Sequence, residues 1–213
     1  MKTTIKTAAA ARTYHHGDLR RALVDAGVAI VSEEQNWAFS LREVARRAGV
    51  SHNAPYNHFP EKRDLLDAVA AVGFDRLRAE MRTAMADFAD ADTAVNAIAR
   101  AYVVFAAGNP ALYRLMFGPE LSAADGSRAE PAATSGAGAK LVLREVIEWG
   151  ARERRLLVPE DETSIEAAVL CVWSTVHGLA MLIIDGRSDP STTPADLAGA
   201  VMRHLLDGLR RPD

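Results

Sequence analysis

Cysteine is almost absent from this sequence, with Cys171 standing alone. It has no internal partner for a disulfide, and no Cys-rich metal pattern surrounds it. A reducing, cytoplasmic setting is the expectation. Aromatic residues make up only 6% of the chain, and β-branched residues are modest, which disfavours sheet. No apolar stretch reads as long enough to span a bilayer. Residues 1–16 have Lys2 and Lys6 but no apolar h-region, so they read as a flexible basic arm rather than a signal peptide. The sequence also lacks a glycine-rich phosphate loop, a compelling Ser/His/Asp order, and a carboxylate pair with His at metal-ligand spacing. No catalytic residue, metal or cofactor is expected.

The 213 residues are 49% hydrophobic, enough for a substantial core. Ala, Leu, Arg and Glu are abundant, which favours helix. The net charge is −3, but it is unevenly spread. Residues 1–16 carry Lys2, Lys6 and Arg12 and no acid, and residues 39–63 carry five bases against Glu43 and Glu61. After residue 77 acids outnumber bases. A basic N-terminal third on an acidic body suggests that one segment faces phosphate and the body faces something else.

Apolar periodicity and breakers predict an all-α fold of about nine helices. Asp18 opens a helix to about Glu34. Ser40 opens the next, with Glu43 placed for a reciprocal capping box, and Gly49 ends it. A short third helix starts at Ser51 or Asn53 and stops at Pro60. Further helices are expected over about 61–88, 94–107, 110–117, 139–153, 161–185 and 194–210. Residues 118–138, rich in Gly, Ala, Ser and Pro, read as a mobile loop.

The spacing around Gly49 suits a helix-turn-helix over residues 40–59. Ala45 is small where a second helix crosses, Gly49 turns the chain, and Val50 fills the corner. The second helix then fits a major groove about 12 Å wide. Asn pairs bidentately with adenine, His donates to guanine, and Tyr and Lys suit phosphates.

The run Ser40-Leu41-Arg42-Glu43-Val44-Ala45-Arg46-Arg47-Ala48-Gly49-Val50-Ser51 resembles the helix-turn segment of the TetR family. Residues 56–66, Tyr-Asn-His-Phe-Pro-Glu-Lys-Arg-Asp-Leu-Leu, resemble that family's Tyr-x-His-Phe-x-x-Lys-x-x-Leu-Leu ending. The resemblance spans about residues 17–77. It implies a DNA-binding head over 17–77 and a ligand-sensing, dimerising body over 78–213. It also implies DNA contacts from Ser40, Arg42, Ser51, His52, Asn53, Tyr56, Asn57, His58 and Lys62. The chain departs from the family at Ala54-Pro55, where Thr-Leu is common. Pro55 lacks an N–H, so the recognition helix should tighten in its first turn or start near Asn53. A regular α-helix from a Ser51 cap through Pro55 would refute that expectation.

Trp173, His177 and Gly178 resemble a subgroup with a Trp…His-Gly signature in the penultimate long helix. That helix is apolar nearly all round, so it should touch neighbours on more than one side. Trp173, Gly178, Leu182, Val201 and Leu205 are the expected dimer contacts, in a four-helix bundle with the last helix. Met85, Phe88, Tyr102, Phe105, Tyr113, Met116, Phe117, Trp149, Trp173 and His177 are the expected lining of a pocket for a small apolar or amphipathic effector. The implied function is a ligand-responsive repressor that binds a palindromic operator as a homodimer. Two other readings stay open: an enzyme, which a bound metal would revive, and a helical adaptor that no longer binds DNA.

Overall fold

The computed structural model describes residues 16–86, 88, 90–122 and 129–209. Apart from His16, the expected basic arm lies outside the described residues, as do the side chain of Asp18 and residues 123–128 of the expected loop. Eight α-helices and no strand are present among the described residues. They are α1 (His16–Glu34), α2 (Leu41–Arg47), α3 (Lys62–Met85), α4 (Ala91–Gly108), α5 (Pro110–Phe117), α6 (Ala132–Arg152), α7 (Glu162–Ile184) and α8 (Pro194–Leu209). Two short 3-10 turns, Ala54–Asn57 and Pro119–Leu121, complete the order. The all-α expectation holds, and the count of about nine is close.

Local chemistry sets most boundaries. Ser40, Asp90 and Asp161 cap α2, α4 and α7, their side-chain oxygens accepting backbone N–H groups at 3.3, 2.9 and 3.0 Å. The expected capping box at Ser40 is only half made, because the Glu43 carboxylate faces Arg46 at 3.8 Å instead. Gly49 ends α2 with φ of 70°, in the left-handed region that glycine enters without a Cβ clash.

The head consists of α1, α2, the Ala54–Asn57 turn and the start of α3. The body consists of the rest of α3 with α4 to α8. Helix α3 belongs to both: it packs on α1 in the head and on α4, α5 and α6 in the body. Leu65 and Val69 are buried near its start, and Phe74, Leu77 and Met81 further along. One hydrophobic core runs through both parts. At about 25 cal/mol per Å² of buried apolar area, such a shared core resists separation of head from body.

Helix α6 starts at Ala132, seven residues before the expected 139, so residues 132–138 are helical rather than loop. Glycine and alanine serve close packing there. A Cβ on Gly136 would lie 3.5 Å from the Phe74 ring of α3. The bidentate pair of Arg82 and Glu145 ties the same two helices.

Helix α7 corrects a second expectation: by length and composition it is apolar enough to cross a membrane. Its apolarity has a reason inside the fold, because it packs on α4, α6 and α8. Even so, only 28% of its apolar window is buried within the protomer.

Candidate functional site

The turn between α2 and the recognition segment is built as the sequence requires. Ala45 is fully buried, and its carbonyl accepts from Val50 N–H at 3.0 Å. The recognition segment itself is a single 3-10 turn, Ala54–Asn57, entered from Asn53 in a helical conformation. Pro55 is buried and stands in the first turn, where its missing N–H leaves no helical bond unmade. Ala54 N–H reaches Ser51 O at 3.0 Å, and Pro55 O accepts from both His58 and Phe59, at 2.9 and 2.8 Å. The expected tightening at Pro55 is therefore present, and no regular α-helix runs from Ser51.

Around this turn the polar side chains face outward. Ser40, Arg42, Ser51, His52, Asn53 and Asn57 are exposed, and Tyr56 is 45% exposed despite its size. His58 is half-buried, while Phe59 is buried as a core residue with Arg20 stacked over its ring. Lys62 opens α3 with its ammonium 5.1 Å from the centre of the Phe39 ring. Partial burial pulls the Lys62 ammonium below the usual lysine range.

The body encloses a cavity of about 250 Å³ between α3, α4, α5, α6 and α7. Phe74, Leu77, Ile98, Met116, Phe117 and Val176 supply much of its apolar wall. The small residues Ala132, Ala133, Gly136 and Ala137 of α6 line it too. Tyr102 and Trp173 bring polar atoms to it.

Those atoms belong to a hydrogen-bonded chain that is buried at its two tyrosines and half-buried at Trp173 and His177. Trp173 Nε1 donates to Tyr102 Oη at 3.3 Å. Tyr102 Oη and Tyr113 Oη lie 2.8 Å apart. Tyr113 Oη lies 2.7 Å from His177 Nδ1, and Tyr102 Oη lies 3.3 Å from it. Burial pushes the Tyr102 phenol up to about 12, and raises Tyr113 further. Burial also lowers His177, whose protonated form would lose water. At neutral pH this chain carries no charge.

Comparison with known proteins decides the family. Residues 23–69 match the model described as bacterial regulatory proteins, tetR family. Residues 95–209, more than half the chain, match the Tetracyclin repressor-like C-terminal domain. The chain belongs to the TetR family. A protein of unknown function from Rhodococcus sp. RHA1 is 30% identical, with 94% of this chain and 100% of that one covered and a TM-score of 0.78. A tetR-family regulatory protein from Rhodococcus RHA1 is 22% identical over 92% of this chain and 98% of its own, with a TM-score of 0.65. FadR of Bacillus subtilis, solved with stearoyl-CoA, is 16% identical over 88% of this chain and 98% of its own, also at a TM-score of 0.65. These last two likenesses concern the fold.

As a TetR protein, the chain is a transcription regulator with a DNA-binding N-terminal head. Its family is one of bacterial regulatory proteins. The structure gathers the residues singled out for DNA on one part of that head, around the turn at Gly49 and the start of α3. In the body, Tyr102, Met116, Phe117 and Trp173 line the cavity, and Tyr113 and His177 stand behind it in the hydrogen-bonded chain. Met85, Phe88, Phe105 and Trp149 do not line it. Phe88 instead edges a shallow recess with Arg100, Arg203 and Leu206. The alanine stripe of α6 escaped the sequence reading because composition marked it as loop. Of the expected dimer contacts, Gly178 and Leu182 are exposed, Val201 and Leu205 are half-buried, and Trp173 turns to the cavity.

Proposed function

We propose that this TetR protein is a ligand-responsive repressor that acts as a homodimer on a palindromic operator. The exposed polar set around the 3-10 turn carries the DNA reading. Asn53 and His52 suit base edges, and Tyr56, His58 and Lys62 suit phosphates. Ser40, Arg42, Ser51 and Asn57 flank them. The head is taken as residues 17–77 and the body as 78–213, with α3 running through both, and residues 1–16 add a basic arm.

A second copy fits the apolar face of α7 and α8. Leu170 and Leu182 are 46% and 48% exposed on α7, and no atom lies within 4 Å of where a Gly178 Cβ would stand. Leu182, Gly178, Val201 and Leu205 are the contacts of that bundle. One recognition segment reads few base pairs, whereas two, spaced by a helical turn, read a palindrome. The Trp173…His177-Gly178 pattern supports membership of the Trp/His-Gly subgroup, with Trp173 and His177 serving the cavity and Gly178 the interface.

The cavity takes the effector. A ligand shifts operator affinity only by its differential affinity for two conformations. Helix α3, shared by cavity and head, is the element that moves. The test is selection of bound fragments from genomic DNA, followed by mobility shift on the fragment with His58→Ala and Lys62→Ala. A specific shift weakened by both variants is expected. Absence of a shift on every fragment at low salt would favour an adaptor without DNA binding.

A further inference from the structure

Building on the effector reading above, we propose that Tyr102, Tyr113 and His177 form a reversible proton relay that reads the carbonyl oxygen of a small, uncharged, apolar effector. Each phenol has one proton to give, and Trp173 Nε1 only donates. Tyr113 Oη lies between Tyr102 Oη at 2.8 Å and His177 Nδ1 at 2.7 Å. Two directions of donation satisfy that geometry, and they interconvert without a net proton change when His177 releases its Nε2 proton to water, takes one from water at Nδ1, and the two phenol protons rotate. In one, Tyr102 donates to Tyr113, Tyr113 donates to His177 Nδ1, and His177 carries its proton on Nε2. Both phenol protons then have acceptors within the chain, and only the Nε2–H of the half-buried His177 goes unused by it. In the other, His177 Nδ1–H donates to Tyr113 and Tyr113 donates to Tyr102. Tyr102 Oη then accepts from both Tyr113 and Trp173, and its own proton needs an acceptor from outside the chain. Tyr102 and Trp173 line the cavity, so a ligand carbonyl there is available to accept that proton.

The surrounding charges select a neutral ligand. Lys140, the cation on the cavity wall, is ion-paired with Glu166. Arg144 beside it faces Glu148 at 2.8 Å, Glu166 at 3.5 Å and also Glu162. Two cations therefore stand against three carboxylates, and a carboxylate ligand would add a fourth. Burial keeps His177 neutral, so it offers no counter-charge. The rest of the wall is aliphatic or aromatic. A volume of about 250 Å³ is just below the usual range of about 300–1,000 Å³ for ligand pockets, which favours a small ligand.

The experiment uses the full-length protein with ¹⁵N-labelled histidine, titrated with nonan-2-one and separately with nonanoate. The His177 signals are assigned against His177→Gln. We expect the ketone to bind at least about tenfold more tightly than the carboxylate, and to move the His177 proton from Nε2 to Nδ1. Tyr102→Phe should weaken the ketone by up to about tenfold, the usual range for one hydrogen bond. Equal affinity for both probes, or an unchanged tautomer with ketone bound, overturns the relay and leaves the effector cavity standing. Binding of neither probe up to its solubility overturns both. The tautomer measurement is made on the unaltered chain, so it decides the matter even if Tyr102→Phe fails to fold.

Discussion

At the scale of single residues, two positions carry most of the argument. Gly49 has φ of 70° and open space around its Cβ direction, so a side chain there meets backbone strain and no clash. Gly49→Ala should lose about 1–2 kcal/mol, seen as a lower denaturant midpoint with unchanged slope. An unchanged midpoint would mean that the turn relaxes at no cost. His177 is the second. Its aromatic and phenolic neighbours, Tyr102, Tyr113, Phe117 and Trp173, supply no counter-charge. Its folded-state pKa is lowered by burial, so the neutral form favours folding. That stability is fully present above the unfolded value near 6.5 and is lost as pH falls toward the folded value. The melting temperature should fall as pH drops below about 6.5, and less steeply in His177→Gln. Parallel slopes would contradict the assignment.

Elements were legible where single residues punctuate the chain. Ser40 opens α2 and Asn109-Pro110 divides α4 from α5 as expected, whereas α4 starts at Ala91, before the expected 94, on an Asp90 cap that the sequence reading did not name. Side-chain chemistry fixes such boundaries locally. Two features were hidden because they depend on a neighbour. The Gly- and Ala-rich start of α6 is helical because α3 packs against it through Phe74, and composition alone carries no sign of that partner. Likewise, helical period does not tell which face of an apolar helix meets a cavity. Tyr102 turns in, whereas Phe105, three residues on, is buried elsewhere. The recognition segment was readable in advance because Pro55 acts through its own backbone. Pro55→Leu restores an N–H and should lengthen the 3-10 turn toward α-helix. Selection of bound DNA fragments by this variant should therefore yield a different preferred sequence. An identical preference would show that the shape of the turn does not set which bases are read.

At the scale of the whole molecule, the head supplies charge and the body supplies apolar surface. The polar set of the head lies on one part of the protein, and the uncovered leucines of α7 lie on another. That separation suits a dimer whose two heads reach one operator. Leu182→Glu places a carboxylate in the proposed interface without touching the protomer core. It should halve the mass measured by light scattering at micromolar concentration and leave helical content unchanged. A wild-type monomer at that concentration would remove the dimer reading.

DNA binding by the head is the central claim, and salt dependence tests it most directly. Binding of the selected operator is followed by fluorescence anisotropy across a salt series, for the unaltered protein and for Lys62→Ala. The logarithm of the affinity should fall linearly with the logarithm of salt concentration, and Lys62→Ala should reduce the slope by about one phosphate contact. An affinity independent of salt, or one that Lys62→Ala, His58→Ala and Tyr56→Phe all leave unchanged, would contradict the assignment of this face to DNA.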